Sequence, residues 1–146
     1  MSPSRFVVAT VERVLETDPA AVWALIANPE RLREWAGVEM VGYMGTEMPR
    51  PGQNVFVKRR RGRGERRVEI ESWDAGTGIS CLIHSGGEPT RFRMELHPEV
   101  GHGTIGTRIR LQQRSPVSPY LAAGAEWWME RSLVGKLKRI ERAVFR

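Results

Sequence analysis

Apolar and polar side chains alternate through the middle of the chain, from residue 38 to residue 113. Phe92, Met94 and Leu96, for example, share one face of their segment, and the residues between them are charged. Such alternation is typical of antiparallel strands with one buried face and one solvent-exposed face. Turn-forming runs rich in glycine, proline and aspartate separate the segments, including a loop at Pro98–Gly103. We predict strands at Arg5–Leu15, Val38–Met44, Asn54–Arg61, Glu65–Trp73, Ile79–His84, Thr90–His97 and Thr104–Gln113.

The pattern becomes helical in two other parts of the chain. An Asp-Pro pair and an Asn-Pro pair are cap-plus-proline signals, and they predict short helices at Pro19–Ala27 and Arg31–Trp35. Apolar residues at three- and four-residue steps predict one long amphipathic helix within Pro116–Arg146. We expect Pro119 at its first helical position and Ser118 as its cap. This helix needs a partner for its apolar stripe, and the sheet supplies one.

Length and composition indicate one globular domain, residues 1–146. The single cysteine excludes an intramolecular disulfide. The three histidines show no metal-binding spacing, so we expect neither a metal nor another cofactor. No apolar run approaches the length of a transmembrane segment, and the N-terminus lacks the apolar centre of a signal peptide. We therefore expect a cytoplasmic protein, and the sequence leaves a homodimer open.

The net charge of +6 favours acidic partners such as nucleic acid, an anionic membrane surface or an acidic carrier protein. The densest basic run, Lys58–Arg67, lies at a predicted hairpin tip. Arg60, Arg61, Arg63 and Arg66 would surround that tip and contact phosphates or an acidic protein. A solvated loop is the alternative, and no aromatic residue is interleaved to stack on bases.

Several local motifs accompany this order of elements: Asp18-Pro19-Ala20-Ala21-Val22-Trp23, Asn28-Pro29-Glu30, Trp35, Gly52, Asp74, Gly106-Thr107 and Leu137–Glu141. The whole chain thereby resembles the START / polyketide cyclase-dehydrase superfamily, also called SRPBCC. The resemblance implies an α+β helix-grip fold, in which a curved antiparallel sheet of about seven strands wraps around a long C-terminal helix and encloses a cavity. Members bind lipids, sterols, polyketides or other small molecules, and a minority catalyse reactions such as cyclisation or dehydration.

The inward-facing residues of such a fold are the candidate ligand contacts. From the sheet and the helix we select Val57, Ile70, Cys81, Ile83, Phe92, Met94, Ile109, Gln113, Tyr120, Trp127, Trp128, Met129 and Leu133. The apolar members would equally serve as ordinary core. The aromatic residues at the start of the last helix would either gate the cavity entrance or pack the helix onto the short helices.

Three polar residues are candidates for catalysis. Arg59 and Ser72 continue the inward-facing positions of their strands, and Glu126 lies on the apolar stripe of the long helix. Each would alternatively sit in water at the end of its element. Aromatase/cyclase members typically carry an inward arginine near the end of the fourth strand, where this chain has Ser72. That departure weighs against cyclase activity, unless Arg59 substitutes.

We therefore expect binding of a hydrophobic or aromatic small molecule, lipid- or polyketide-like, between sheet and helix. A cyclase/dehydratase-type enzyme using the same cavity is the second hypothesis. An interaction module using the arginine-rich hairpin is the third.

Overall fold

The strands and helices follow the predicted order along the chain. The computed structural model describes residues 5–43, 50–59, 64–101, 103–118 and 120–146. The strands are β1 (Arg5–Leu15), β2 (Val38–Tyr43), β3 (Asn54–Arg59), β4 (Glu65–Asp74), β5 (Gly78–His84), β6 (Thr90–Gly101) and β7 (Thr104–Val117). The helices are α1 (Pro19–Ile26), α2 (Leu32–Trp35) and α3 (Ala122–Val144), and a 3-10 turn at Pro29–Arg31 leads into α2.

In the described part of the chain, seven antiparallel strands form one sheet in the order β1-β7-β6-β5-β4-β3-β2. Consecutive strands from β2 to β7 are neighbours, and β1 pairs with β7 over its whole length. The predicted α+β helix-grip fold, a curved sheet with a long C-terminal helix and two short helices, is confirmed. No helix among the described residues is long and apolar enough to cross a membrane.

The two short helices begin at the predicted cap-plus-proline signals. The Asp18 carboxylate accepts a hydrogen bond from the Ala20 amide at 2.8 Å, and the Asn28 side chain accepts one from the Glu30 amide at 3.0 Å. These bonds satisfy amides that have no partner within a helix, and the following prolines have no amide hydrogen to satisfy. The two helices therefore follow β1 directly and lie over the sheet.

The long helix α3 buries its apolar stripe against one half of the sheet. Five of its residues are buried: Met129, Leu133, Leu137, Ile140 and Ala143. The helix packs on β1, on β7 and on both short helices, and an ion pair between Arg13 and Glu141 ties it to β1. Within the described residues its packing on β3, β4 and β5 is at most sparse. The inner face of those strands is therefore left without a helix directly above it.

Two prolines that indicate strand ends in the sequence lie within strands in the structure. Pro98 of β6 pairs with Thr107 of β7. It lies beyond Glu95, the residue at which the pairing of β6 with β5 ends. Pro116 pairs with Phe6, beyond the point where the pairing of β7 with β6 ends. Proline lacks an amide hydrogen, and it is tolerated where a strand has a neighbour on one side alone.

The predicted start of the long helix is consequently wrong. The helix begins at Ala122 with Leu121 as its cap residue, and no side-chain hydrogen bond caps it. Ser118 precedes the helix instead, where its carbonyl accepts a hydrogen bond from the Leu121 amide. The predicted first helical residue, Pro119, lies outside the described residues.

Candidate ligand cavity

A cavity of about 260 Å³ lies between the sheet and the short helices. The sheet contributes mainly apolar wall residues from β2 to β6: Val38, Met40, Val55, Val57, Val68, Ile70, Trp73, Ile79, Cys81, Ile83 and Phe92. The opposite wall comes from the short helices and the residues beside them: Ile26, Ala27, Pro29, Leu32, Trp35 and Ala36. A concave space with such walls is typical of a binding site for an apolar molecule.

The cavity exists because the apolar interior is divided into two clusters. The main core contains the stripe of α3 and the inner residues of β1, β6 and β7. A second cluster contains Val55, Val57 and Ile70, with partly buried residues of β2 and β4 packed around them. Leu32 contacts both clusters. Since α3 lies over β1 and β7, the second cluster faces the cavity instead of the helix.

A β-bulge in β4 changes which side chains reach the cavity. Ile70 pairs with Cys81, but the next pair is Ser72 with Ser80, so Glu71 is an extra residue. Beyond the bulge, Trp73 pairs with Ile79 and lines the cavity. Ser72 shares a face with Ser80, opposite to the face of Ile79. The predicted inward placement of Ser72 is therefore wrong, because the extra residue reverses the alternation.

The extra residue of the bulge forms a polar network with β5 and β6. The Glu71 carboxylate accepts hydrogen bonds from Nε of Arg91 at 2.8 Å, from its Nη2 at 3.2 Å and from the Ser80 hydroxyl at 3.0 Å. These bonds, the Arg91 bond foremost, lower the pKa of the Glu71 carboxyl despite its partial burial. The network holds the bulge in place, and thereby the inward orientation of Trp73.

Three cationic side chains also line the cavity: Arg59 on β3, Arg66 on β4 and Lys136 on α3. Burial lowers the pKa of the Arg66 guanidinium, and the nearby charge of Arg59 lowers it further. Burial likewise lowers the pKa of Lys136, and the charges of Arg139 and Arg59 add to that effect. Arg66 and Lys136 are therefore partly withdrawn from water, and Arg59 lies near both of them.

The single cysteine forms part of the apolar wall. Burial, with a smaller contribution from the charge of Glu71, raises the pKa of the Cys81 thiol to about 12. The thiol is therefore uncharged at neutral pH and has the character of a small apolar group.

The structure divides the predicted ligand contacts into three groups. Six of them line the cavity: Val57, Ile70, Cys81, Ile83, Phe92 and Gln113. Arg59, predicted as a candidate for catalysis, lines it too. Met94, Ile109, Met129 and Leu133 are instead buried in the main core, so their predicted place in the cavity wall is wrong. Met129 and Leu133 belong to α3, and Met94 and Ile109 pack with them in that core, to which Phe92 also contributes.

The predicted site at the start of α3 is wrong as well. Tyr120, Trp127 and Trp128 are 95%, 53% and 69% exposed. Glu126 is also exposed, and none of the four residues lines the cavity. Burial in α3 begins at Met129, because the first turns of the helix extend beyond the apolar interior. Trp127 instead contacts Trp128 edge to face, and the Arg131 guanidinium lies 4.8 Å from its ring centroid.

Sequence reasoning missed the short-helix wall and two of the three cations. Arg66 stands two positions before Val68, on the same strand face, and Lys136 lies three residues after Leu133 and four before Ile140. The periodicity of the strand and of the helix could therefore have predicted that both side chains face the interior.

Of the four arginines predicted to form a basic hairpin tip, Arg60, Arg61 and Arg63 lie outside the described residues. Among the residues that the structure does describe, no cluster of histidine, cysteine and acidic side chains is arranged to hold a metal ion.

No protein-family model and no curated protein matches the sequence. Solved structures do match. A protein of unknown function from Staphylococcus aureus, SA2116, is 13% identical over 97% of this chain and 94% of that chain, with a TM-score of 0.75. Norcoclaurine synthase from Thalictrum flavum, in truncated form, is 13% identical over 99% of this chain and 96% of that chain, with a TM-score of 0.71. That synthase has also been solved in complex with dopamine and hydroxybenzaldehyde.

A third similar structure is DynU16, from the dynemicin biosynthetic locus. It is 15% identical over 92% of this chain, with a TM-score of 0.68, and this chain spans 46% of its length. At such low identity, structural likeness is evidence of fold alone. The chain shares the helix-grip fold of these solved structures, which is the fold that the resemblance to the START / SRPBCC superfamily implied.

Proposed function

We propose that this protein binds a hydrophobic or aromatic small molecule, lipid- or polyketide-like, in the cavity between the sheet and the helices. The observation that carries the proposal is the division of the apolar interior into two clusters with about 260 Å³ between them. An unfilled space with apolar walls forfeits packing energy, and a bound apolar molecule recovers it.

The composition of the walls supports an aromatic or aliphatic ligand. Three aromatic residues, Trp35, Trp73 and Phe92, contribute to the lining, and aliphatic side chains supply most of the remainder. Aromatic walls favour flat ligands through edge-to-face and stacked contacts. The likeness to a synthase that has been solved with two small aromatic molecules is consistent with this ligand class.

Binding is favoured over cyclase-type catalysis by the placement of the three residues that the sequence suggested for catalysis. Neither Ser72 nor Glu126 lines the cavity. Arg59 does, but an arginine side chain stays protonated and cannot exchange protons with a substrate at neutral pH. A catalytic role for Arg59 is therefore restricted to positioning a substrate or stabilising negative charge.

The test compares two variants that add the same bulk at different places. Val68 is half-buried in the cavity wall, whereas Val8 of β1 is 44% exposed. Val68→Phe should fill part of the cavity and weaken binding of a neutral probe, naphthalene carboxamide, by about tenfold or more, because a single lost pocket contact commonly costs 1–3 kcal/mol. Val8→Phe should bind as the wild type does. Equal affinity in both variants, or no binding by the wild type, would contradict the proposal.

A further inference from the structure

We propose that the ligand carries an anionic group, which Arg59, Arg66 and Lys136 bind while its apolar body fills the cavity. This inference rests on the proposed function and specifies its ligand class. The shared chemistry is a negatively charged oxygen group, such as a carboxylate, attached to an aromatic or aliphatic body.

The strand register directs two of the cations to the cavity. Val57 is a wall residue, Arg59 follows it by two positions on β3, and Arg66 is its partner across the ladder on β4. Side chains two apart on a strand, or opposite each other in a ladder, project from the same face of a sheet. The two guanidinium groups therefore belong to the inner face, at the end of β3 and β4 nearest their connecting hairpin.

The third cation comes from the opposite wall. Lys136 lies on the helical face of Leu133 and Ile140, both of which are fully buried. Its neighbourhood includes Arg139 on its own helix and Arg59 from the sheet. Cations from a helix and from two strands thus meet at one region of the cavity wall.

No described carboxylate forms an ion pair with Arg59, Arg66 or Lys136. Acidic groups are available to arginines elsewhere: Arg91 pairs with Glu71 at 2.8 Å, and Arg31 pairs with Glu34 at 2.6 Å. The other polar residues at the cavity wall, Ser80 and Gln113, are neutral, and the Ser80 hydroxyl is directed to Glu71. The three cations therefore repel one another without a countercharge from the described residues.

Grouped cations without a countercharge are costly when they are partly withdrawn from water, and a bound anion relieves that cost. Arg66 and Lys136 are half-buried, whereas Arg59 is exposed. The cluster therefore extends from the cavity to solvent. This change from half-buried to exposed cations suits an amphiphilic ligand, whose apolar body enters the cavity while its anionic group stays at the mouth. Guanidinium groups bind carboxylates through paired, charge-assisted hydrogen bonds.

The experiment uses three naphthalene probes that share one shape and differ in charge: the carboxylate, the carboxamide and the methylammonium. We expect the wild type to bind the carboxylate about tenfold more tightly than the carboxamide, because hydrogen bonds to a charged group are worth more than neutral ones. The methylammonium should bind most weakly. Calorimetric titration at low and high salt measures the three affinities.

Variants that each remove one positive charge then identify the residues that cause the preference for the carboxylate. Arg59→Gln, Arg66→Gln and Lys136→Gln should each lower the ratio of carboxylate affinity to carboxamide affinity several-fold. Arg93→Gln is the matched control, because Arg93 is exposed on β6 and is not part of the cavity lining. It removes the same net charge, and it should leave both affinities unchanged. Circular dichroism spectra confirm that each variant is folded.

The outcomes separate this inference from the proposed function. Equal affinity for carboxylate and carboxamide in the wild type overturns the anionic ligand class and leaves cavity binding intact. A carboxylate preference that survives all three cavity variants, or that Arg93→Gln removes equally, also overturns it. Failure of every probe to bind the wild type overturns the proposed function itself.

Discussion

The indole rings of Trp23 and Trp73 meet edge to face, with ring centroids 5.2 Å apart and ring planes inclined by 68°. Trp23 of α1 packs against the main core, and Trp73 of β4 packs against the second cluster. The contact therefore joins the two clusters, as Leu32 also does. It depends on the bulge at Glu71, which turns Trp73 inward.

The first prediction concerns this aromatic contact. Trp73→Ala should lower the free energy of unfolding by about 2 kcal/mol, less than for a fully buried tryptophan, because Trp73 is only half-buried. It should also enlarge the cavity and shift probe preference toward larger aromatic molecules. Urea unfolding provides the measurement. Trp128→Ala, at a residue that is 69% exposed, is the control and should change stability little. Equal losses in both variants would contradict a specific role for Trp73.

The second prediction concerns the bulge network. Glu71→Gln should destabilise the protein by about 1 kcal/mol at neutral pH, since it weakens the charge-assisted hydrogen bonds from Arg91 and Ser80. The folded-state pKa of Glu71 lies below its ordinary value of 4.5, mainly because of the Arg91 hydrogen bond. The carboxylate therefore stabilises the fold fully above that ordinary value and loses its effect as pH falls through the folded pKa.

The stability difference between wild type and Glu71→Gln should accordingly shrink in acid, which unfolding titrations at several pH values can follow. Glu12→Gln is a suitable control, because Glu12 lies on the exposed surface and its nearest contact with Arg110 is 3.8 Å long. Its effect should stay within about 0.5 kcal/mol. A difference for Glu71→Gln that persists unchanged below its folded pKa would refute the role given to its charge.

The third prediction uses Cys81 as a reporter of the cavity. The thiolate is the reactive form, and burial raises the pKa of this thiol from an ordinary value of 9.0 to about 12. Maleimide should therefore modify the native protein on the order of a thousand times more slowly than the urea-unfolded protein. Because the chain has a single cysteine, mass spectrometry reads this site alone. A cavity ligand should slow the reaction further, and native labelling as fast as unfolded labelling would place the thiol in open solvent.

The alternation of side chains predicted the faces of the strands well, but it could not separate cavity from core. Phe92 and Met94 occupy equivalent positions of one strand and belong to the same core, yet Phe92 lines the cavity and Met94 does not. The difference depends on which residues of other elements pack over each position, and that is a tertiary property. Periodicity in one segment carries no information about which part of the opposite face a distant helix covers.

The errors at Ser72 and Glu126 have similarly physical origins. One extra residue at Glu71 reverses the faces of the following positions, and the sequence carries no turn signal there because the strand continues. Glu126 does lie on the apolar stripe of α3, but the stripe is buried only from Met129 onward. An amphipathic pattern indicates a face of a helix, not how far along the helix its partner extends.

The last prediction concerns Lys136 and predicts opposite effects on stability and binding. Lys136→Met should raise the free energy of unfolding of the ligand-free protein at neutral pH by on the order of 1 kcal/mol, because it removes a half-buried charge that lies near Arg139 and Arg59. The same substitution should weaken binding of naphthalene carboxylate. Lys138→Met, at an exposed position of the same helix, is the control for both measurements.

The pH dependence of the free energy of unfolding tests whether the charge of Lys136 causes this difference in stability. Because the pKa of Lys136 in the folded state is below its ordinary value of 10.5, the unfolded chain holds the proton more tightly than the folded protein. Protonation thus favours unfolding, and wild-type stability should gain a contribution as pH rises from the folded pKa toward 10.5. Lys136→Met lacks this contribution, so its advantage over the wild type should diminish in that range. If the advantage is absent at neutral pH, or is constant up to pH 10.5, burial of the charge is not the cause.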